Sequence, residues 1–164
     1  MLYDQKGLEA IKKALTAKKL TLAVAESVTS GHLQAAFSSV KEAAAYFQGG
    51  ITVYNAGQKC RHLNIEPIKA FESDCVTEFV ACEMALQVAK LFISEYGIAI
   101  TGYALKDEEK GIDSLYAFFA IATREKVLLC RKITTNCTTS VTAQVDYTNK
   151  IIAAFRKILS EKKK

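Results

Sequence analysis

A tyrosine and a lysine that could activate a hydroxyl nucleophile stand close together in the sequence, at Tyr54 and Lys59. A lysine becomes a general base when burial lowers its pKa, and a neighbouring phenol can relay the proton or steady an oxyanion. These two side chains would therefore support nucleophilic catalysis. Without a surrounding motif they would be ordinary surface residues, so the interpretation depends on the rest of the chain.

A polar elbow from Glu26 to Gly31 could supply hydroxyl groups and an anion site. It follows an apolar run, residues 23–25, and precedes a predicted helix. Backbone amides at a helix N-terminus bind anions, and ligands of open α/β sheets lie at the carboxyl ends of strands. A nucleotide phosphate would fit at this elbow. The alternative is that Ser27 and Thr29 only cap the helix.

Glycines mark two further places where the backbone could approach a ligand. Gly49 and Gly50 are predicted to form a tight turn before a strand, and Thr101 and Gly102 end another predicted strand. His32 could approach the same pocket, although a histidine at a helix end is more often structural.

Hydrophobic periodicity predicts the elements that would position these residues. Helices are expected near residues 8–15, 30–39, 56–63 and 141–159, and a long one is expected through Ile93 with Ser73 or Asp74 as its cap. Short helical turns are expected at residues 43–47 and near Pro67. Strands are expected at residues 20–25, 51–54 and 97–102, followed by a hairpin of residues 115–123 and 126–134.

The early alternation of helix and strand favours parallel pairing, and the late hairpin adds antiparallel pairing. We therefore expect an α/β fold: a three-layer α/β/α sandwich with a mixed, mostly parallel sheet of about five strands. The 164 residues suit a single domain, 1–164, with a sizeable core.

Composition excludes several classes of protein. No apolar stretch is long enough to cross a membrane, and no secretory signal opens the chain, so we expect a cytoplasmic protein without a membrane partner. The five cysteines are odd in number and form no CxxC pair, so neither disulfides nor a metal site is expected. The net charge of +5 sits largely in the basic tail, and no basic stripe indicates a nucleic-acid partner.

The ordered set of elbow, Gly-Gly pair, Tyr54 with Lys59, and Thr101-Gly102 resembles the C-terminal domain of the CinA family, the nicotinamide mononucleotide deamidases. The resemblance covers roughly residues 4–160 and implies the same sandwich fold, no cofactor, a pyridine nucleotide as ligand and a tendency to form homo-oligomers. It implies that Tyr54 and Lys59 are catalytic. It further implies substrate contacts by residues of these motifs, namely Ser27, Thr29, Gly31, Gly49, Gly50, Thr101 and Gly102.

Two departures from the family pattern affect catalysis. The family carries Pro-Gly-Ser-Ser before its Gly-Gly pair, and the resemblance places the nucleophile in that serine pair. Counting back without a gap, this chain has Ala44 at the nucleophile position. Ser38 or Ser39 would replace the lost hydroxyl only if the loop were rearranged. The Gly-rich loop that follows Thr101-Gly102 in the family is replaced here by a charged segment, residues 103–111, which we interpret as a solvated turn.

Three hypotheses follow. The first is a catalytically impaired member of the family that retains nucleotide or partner binding, which Ala44 and the altered loop favour. The second is an active deamidase that converts nicotinamide mononucleotide into nicotinate mononucleotide and ammonia with a substitute nucleophile. The third is a structural interaction domain whose pocket is a relic.

Overall fold

The computed structural model describes residues 2–161, which form a five-stranded sheet between two layers of helices. The last three residues of the predicted basic tail, 162–164, lie outside the described residues. The elements in chain order are α1 (Gln5–Thr16), β1 (Leu22–Glu26), α2 (His32–Ser38), a 3₁₀ turn (Ala43–Ala45), β2 (Phe47–Thr52), α3 (Ala56–Leu63), α4 (Pro67–Glu72), α5 (Glu78–Leu91), β3 (Tyr96–Gly102), β4 (Leu115–Ala122), β5 (Val127–Thr135) and α6 (Ser140–Glu161).

The sheet has the strand order β2-β1-β3-β4-β5. β1 pairs in parallel with β2 and β3, whereas β4 pairs antiparallel with both β3 and β5. Four strands therefore run in one direction and β4 runs against them, which confirms the predicted α/β sandwich with a mixed sheet. Every residue of β1 is buried, as expected for a central strand covered on both faces.

The residues of β1 alternate between two cores because successive side chains of a strand point to opposite faces. Leu22 and Val24 join a core formed with α1, α2 and α6. Ala23 and Ala25 join a second core formed with α3, α4 and α5. The two cores thus hold the ends of the strands in fixed positions, and the segments that follow the strands are positioned by them.

The Gly-Gly pair lies within β2, and the predicted turn at these residues is wrong. Gly49 has a φ of +114°, and a Cβ on Gly50 would lie 2.5 Å from Val24 Cγ2 and 2.7 Å from the Val24 carbonyl oxygen. Gly50 is needed for the close approach of β2 to β1. The strand begins at Phe47 and includes both glycines.

The long helix α5 begins later than predicted. Its N-cap is Thr77, whose side chain accepts a hydrogen bond from the Val80 amide, and neither Ser73 nor Asp74 has that role. Asp74 and Cys75 instead adopt left-handed backbone conformations, with φ of 50° and 60°. A helix cannot begin at consecutive left-handed residues, so the cap moves to the next suitable side chain.

Within residues 2–161, no helix is both long and apolar enough to cross a membrane. The same residues contain no cluster of three or more histidine, cysteine or acidic side chains that could hold a metal ion.

Candidate active site

A cleft of about 550 Å³ opens where β1, β2 and β3 end. Parallel strands bring their carboxyl ends to the same edge of the sheet, so the segments that follow them converge there. The connection before α5 and the first residue of α6 complete the walls. The residues lining this cleft are Ser27, Val28, Tyr54, Asn55, Ala56, Lys59, Asp74, Cys75, Val76, Thr101, Gly102, Tyr103, Ala104, Leu105, Lys106, Asp107, Lys110 and Ser140.

The floor of the cleft contains a buried serine–lysine pair. Lys59 Nζ donates to Ser27 Oγ across 2.9 Å. The lysine is 2% exposed and the serine 6% exposed. Burial lowers the pKa of Lys59, against smaller opposing contributions from Cys75, Asp74 and Cys60. An ammonium group in such a setting is costly, so the neutral amine that could take a proton from Ser27 becomes accessible.

Local structure fixes both members of the pair. The Ser27 amide donates to the Ile100 carbonyl, which holds the serine directly after β1. Asn55 caps α3 by accepting a hydrogen bond from the Gln58 amide. Lys59 lies on the buried side of that short helix and points toward the end of β1. The chemistry of the pair is that of a hydroxyl nucleophile with its general base.

The elbow does not offer the free anion site that the sequence predicts. The Glu26 carboxylate is fully buried and accepts hydrogen bonds from the amides of Gly31, Leu33 and Gln34 and from Thr29 Oγ1, at 2.6–3.1 Å. The protein's own carboxylate therefore occupies the N-terminus of α2. This arrangement is a helix cap made by Glu26. The predicted caps are not found, because the Thr29 hydroxyl donates to Glu26 and Ser27 Oγ accepts from Lys59.

Asp74 reaches the cleft from the connection between α4 and α5. The left-handed pair that carries it is held by Thr101, whose buried hydroxyl donates to the Cys75 carbonyl at 2.8 Å, and by the Cys75 amide, which donates to Ala70. Left-handed backbone at residues other than glycine costs energy and persists only where neighbouring contacts impose it. The result is a carboxylate at the cleft mouth.

The charged segment after β3 forms the opposite wall. Lys110 Nζ makes an ion pair of 2.7 Å with Asp74 Oδ2, and Tyr103 donates to the same oxygen across 3.2 Å. Burial, together with Asp74, raises the pKa of Tyr103 to about 12. This segment was predicted to be a solvated turn, but its first residues and both lysines line the cleft.

Helix α6 fastens two of the cleft segments. Gln144 Nε2 donates to the Val28 carbonyl at 2.9 Å, and the Tyr147 hydroxyl donates to the Tyr103 carbonyl at 3.0 Å. Tyr147 is fully buried, and that burial raises its pKa. Both side chains are neutral, and they hold the backbone of two cleft segments.

The structure brings together some of the predicted site residues and leaves others outside. Lys59 is at the floor and Tyr54 is at the mouth, 68% exposed. Of the residues predicted to contact substrate, Ser27, Thr101 and Gly102 line the cleft. The others shape the elbow or the sheet and are absent from the cleft walls, namely Thr29, Gly31, Gly49 and Gly50.

Ala44 lies near the opposite ends of the strands, where β1 and β2 begin. It belongs to the 3₁₀ turn before β2, and Phe47 at the start of β2 pairs with Leu22 at the start of β1. Ser27 follows the last residue of β1. The five residues of β1 separate the two positions by about 15 Å at the usual rise per residue.

Ser38 and Ser39 do not approach Lys59 either. Their hydroxyls donate to the carbonyls of Ala35 and Ala36 at the end of α2. His32 also lies away from the cleft walls, where its Nδ1 is 2.8 Å from the Tyr3 hydroxyl.

Sequence reasoning missed Asp74, Lys106 and Lys110 as cleft residues. Asp74 was treated only as a helix cap, and the two lysines were included in a solvated turn. For the two lysines the available signal was their position in the segment that follows β3, since ligands collect at the carboxyl ends of strands. Asp74 lies between α4 and α5 and carried no such signal.

Comparisons with known proteins agree with this architecture. A family model described as the CinA C-terminal domain matches residues 4–156. Protein MG115 of Mycoplasma genitalium is 31% identical over 153 residues, which cover 92% of this chain and 96% of that protein. A CinA-like protein of Flavobacterium psychrophilum is 38% identical over 116 residues, which cover 70% of this chain and 28% of that protein. The chain thus spans little more than a quarter of the longer relatives it matches.

Among solved structures, a competence or damage-inducible protein from Enterobacter asburiae superposes with a TM-score of 0.88 at 23% identity. The superposition covers 94% of this chain and 96% of the other. At this identity the likeness establishes the fold.

Proposed function

The chain belongs to the CinA C-terminal domain family, and from that premise we propose that it is an amidohydrolase with Ser27 as nucleophile and Lys59 as general base. The observation that carries the proposal is the 2.9 Å contact between Lys59 Nζ and Ser27 Oγ in a buried floor. A base within hydrogen-bond reach of a hydroxyl is the geometric requirement for nucleophilic catalysis.

The first half of the reaction forms an acyl-enzyme. Neutral Lys59 takes the proton of Ser27 while Oγ attacks the carboxamide carbon, which gives a tetrahedral oxyanion. Tyr54, at the cleft mouth, donates a hydrogen bond to that oxyanion. The intermediate collapses, the C–N bond breaks, and Lys59 returns the proton to the leaving nitrogen, so ammonia departs.

The second half consumes water. Lys59 takes a proton from a water molecule, the resulting hydroxide attacks the acyl carbon, and the ester bond to Ser27 breaks. The proton returns to Ser27 Oγ, which leaves the free enzyme and a carboxylic acid. Since Lys59 must be neutral, kcat/KM rises with pH until its lowered pKa is passed.

We propose nicotinamide mononucleotide as the substrate, with nicotinate mononucleotide and ammonia as products. The resemblance of the motifs supports this choice, and a cleft of about 550 Å³ is in the usual range for a ligand of nucleotide size. Under this proposal the methyl group of Ala44 does not impair catalysis, because the hydroxyl nucleophile comes from the elbow.

A second candidate is a domain that binds the nucleotide without turnover. The observation that favours it is the segment after β3, where Asp107, Glu108 and Glu109 replace a Gly-rich loop. Carboxylates in that loop repel an anionic ligand and do not supply the close backbone amides of a glycine loop. This candidate corresponds to the first sequence hypothesis, an impaired enzyme that retains nucleotide binding.

The test is ammonia release from nicotinamide mononucleotide by the purified protein and four variants. We expect turnover by the unmodified chain and a loss of at least about a thousandfold in Ser27→Ala and Lys59→Met. Ser38→Ala is the matched control, since it removes an exposed hydroxyl bonded only to Ala35. Ala44→Ser should also leave the rate unchanged.

Two results would contradict the assignment. Undiminished turnover in Ser27→Ala would show that Ser27 is not the nucleophile. A gain of activity confined to Ala44→Ser would show that the nucleophile belongs at position 44. Nucleotide binding with no turnover in the unmodified chain would establish the second candidate instead.

A further inference from the structure

The cleft has few cations with which to hold an anionic substrate. Among its described lining residues, the cationic side chains are Lys59, Lys106 and Lys110. The amides at the N-terminus of α2 are unavailable, because the Glu26 carboxylate accepts their hydrogen bonds. A cationic partner for an anionic group of a ligand, among these lining residues, is therefore one of the three lysines.

Two of these lysines are already engaged. Lys59 is buried against Ser27 and is required there in its neutral form. Lys110 donates to Asp74 Oδ2 at 2.7 Å and would have to exchange that carboxylate for the ligand. Lys106 makes no ion pair with any residue in the range 2–161.

The nearest carboxylate in the sequence does not neutralise Lys106. Asp107 Oδ1 accepts a hydrogen bond from the Lys110 amide at 3.1 Å, so this side chain is turned toward its own loop. The Asp107 backbone also pairs with Ile112 as an isolated bridge, which ties the two ends of that turn together. Lys106 precedes the turn and is exposed.

Lys106 also marks the wall between two cavities. The same stretch, residues 104–106, lines the cleft and a neighbouring cavity of about 580 Å³ next to the start of β4 and the end of β5. A ligand whose amide sits over Ser27 and whose far end reaches Lys106 would span the cleft from its floor to this wall.

We propose that Lys106 is a specificity-determining residue that binds the phosphate of a nicotinamide ribosyl phosphate; this rests on the proposed amidohydrolase function. An unpaired ammonium is a strong partner for a phosphate monoester because the hydrogen bond is charge-assisted. The last helix supplies no cation to this cleft, since its one lining residue is Ser140.

The test compares two substrates that differ only in the phosphate: nicotinamide mononucleotide and nicotinamide riboside. In Lys106→Met we expect kcat/KM for the mononucleotide to fall by about tenfold or more, with the value for the riboside unchanged. Lys18→Met, at an exposed position outside the cleft, is the matched control and should change the ratio of the two substrates by less than about threefold. Raising the salt concentration should weaken mononucleotide binding in the unmodified chain and have less effect in Lys106→Met.

Calorimetric titration with both compounds separates this inference from the proposed function. If the chain shows no turnover but binds the mononucleotide more tightly than the riboside, and Lys106→Met abolishes that preference, the subsite stands and the catalytic proposal fails. If turnover is present and the substrate ratio is unaffected in Lys106→Met, the subsite is overturned. An equal loss of the ratio in Lys18→Met, or no binding of the mononucleotide by the unmodified chain, would overturn it as well.

Discussion

Ser27 and Lys59 are separated by 32 positions in the chain, and the hydrogen bond between them is buried. The lysine has no carboxylate within ion-pair distance among the described residues, and this distinguishes it from a structural buried cation. A buried charge without a counter-ion destabilises the folded state, so its retention is explained more simply by chemistry than by stability.

Replacing Lys59 should therefore stabilise the protein while abolishing activity. Below the lowered folded-state pKa, Lys59 carries its charge in both states, and burial makes that charge unfavourable only in the fold. As pH rises from that value to the usual 10.5, the folded chain loses the proton first, and the stability of the unmodified protein increases. Lys59→Met should gain about 1 kcal/mol at neutral pH, and the gain should vanish above the usual pKa.

Urea denaturation at several pH values measures this difference. Lys18→Met, at an exposed position outside the cleft, serves as control and should show no comparable pH-dependent gain. A Lys59→Met protein that is less stable than the unmodified chain at neutral pH would show that the amine stabilises the fold.

At the scale of elements, the β1–α2 elbow is organised by one carboxylate. Glu26 accepts three amide hydrogen bonds and one from Thr29, and it is also the last residue of β1. Ser27 is the next residue, so the cap that begins α2 lies directly beside the serine. The residues that resemble a ligand-binding motif thus have a local structural role.

Glu26→Gln should destabilise the fold by about 2–3 kcal/mol. A glutamine side chain keeps one acceptor oxygen, and its amino group would face N–H and O–H donors that need an acceptor. Glu42→Gln, which changes an exposed carboxylate, should stay within about 0.5 kcal/mol of the unmodified chain. The midpoint of urea unfolding is the measurement, and equal midpoints for the two variants would refute the capping role.

On the scale of the whole molecule, the site depends on layers that lie apart in sequence. The cleft walls follow three strands, and α6 reaches over them from the end of the chain through Gln144 and Tyr147. Loops positioned by a rigid scaffold are a usual location for functional residues. Here the last helix supplies that rigidity for the charged loop after β3.

Tyr147→Phe tests this connection against a matched buried tyrosine. The Tyr46 hydroxyl also donates to a backbone carbonyl, that of Phe37, but it lies near the opposite edge of the sheet. Each phenylalanine variant should lose about 1 kcal/mol of stability. Activity should fall about tenfold only in Tyr147→Phe, because a small displacement of the cleft wall is sufficient to slow the reaction. Equal activity losses in the two variants would indicate a general effect of destabilisation.

The sequence by itself determined the order of helices and strands and the mixed sheet. These features follow from periodicity and from short apolar runs, which are local properties of the chain. It also placed Lys59 on a short helix and Ser27 after a strand. The start of β2 was missed, because Gly49 and Gly50 suggest a turn unless the close approach to Val24 is known.

Only the tertiary structure decided which of the marked residues meet. Residues before a parallel strand lie at one end of the strands, and residues after it lie at the other end. Ala44 precedes β2 and Lys59 follows it, so the two are separated although they are near in sequence. The same packing turns Glu26 inward onto the α2 amides and brings Asp74, Lys106 and Lys110 to the cleft. These contacts depend on strand order and on the layers above and below the sheet, which no local pattern specifies.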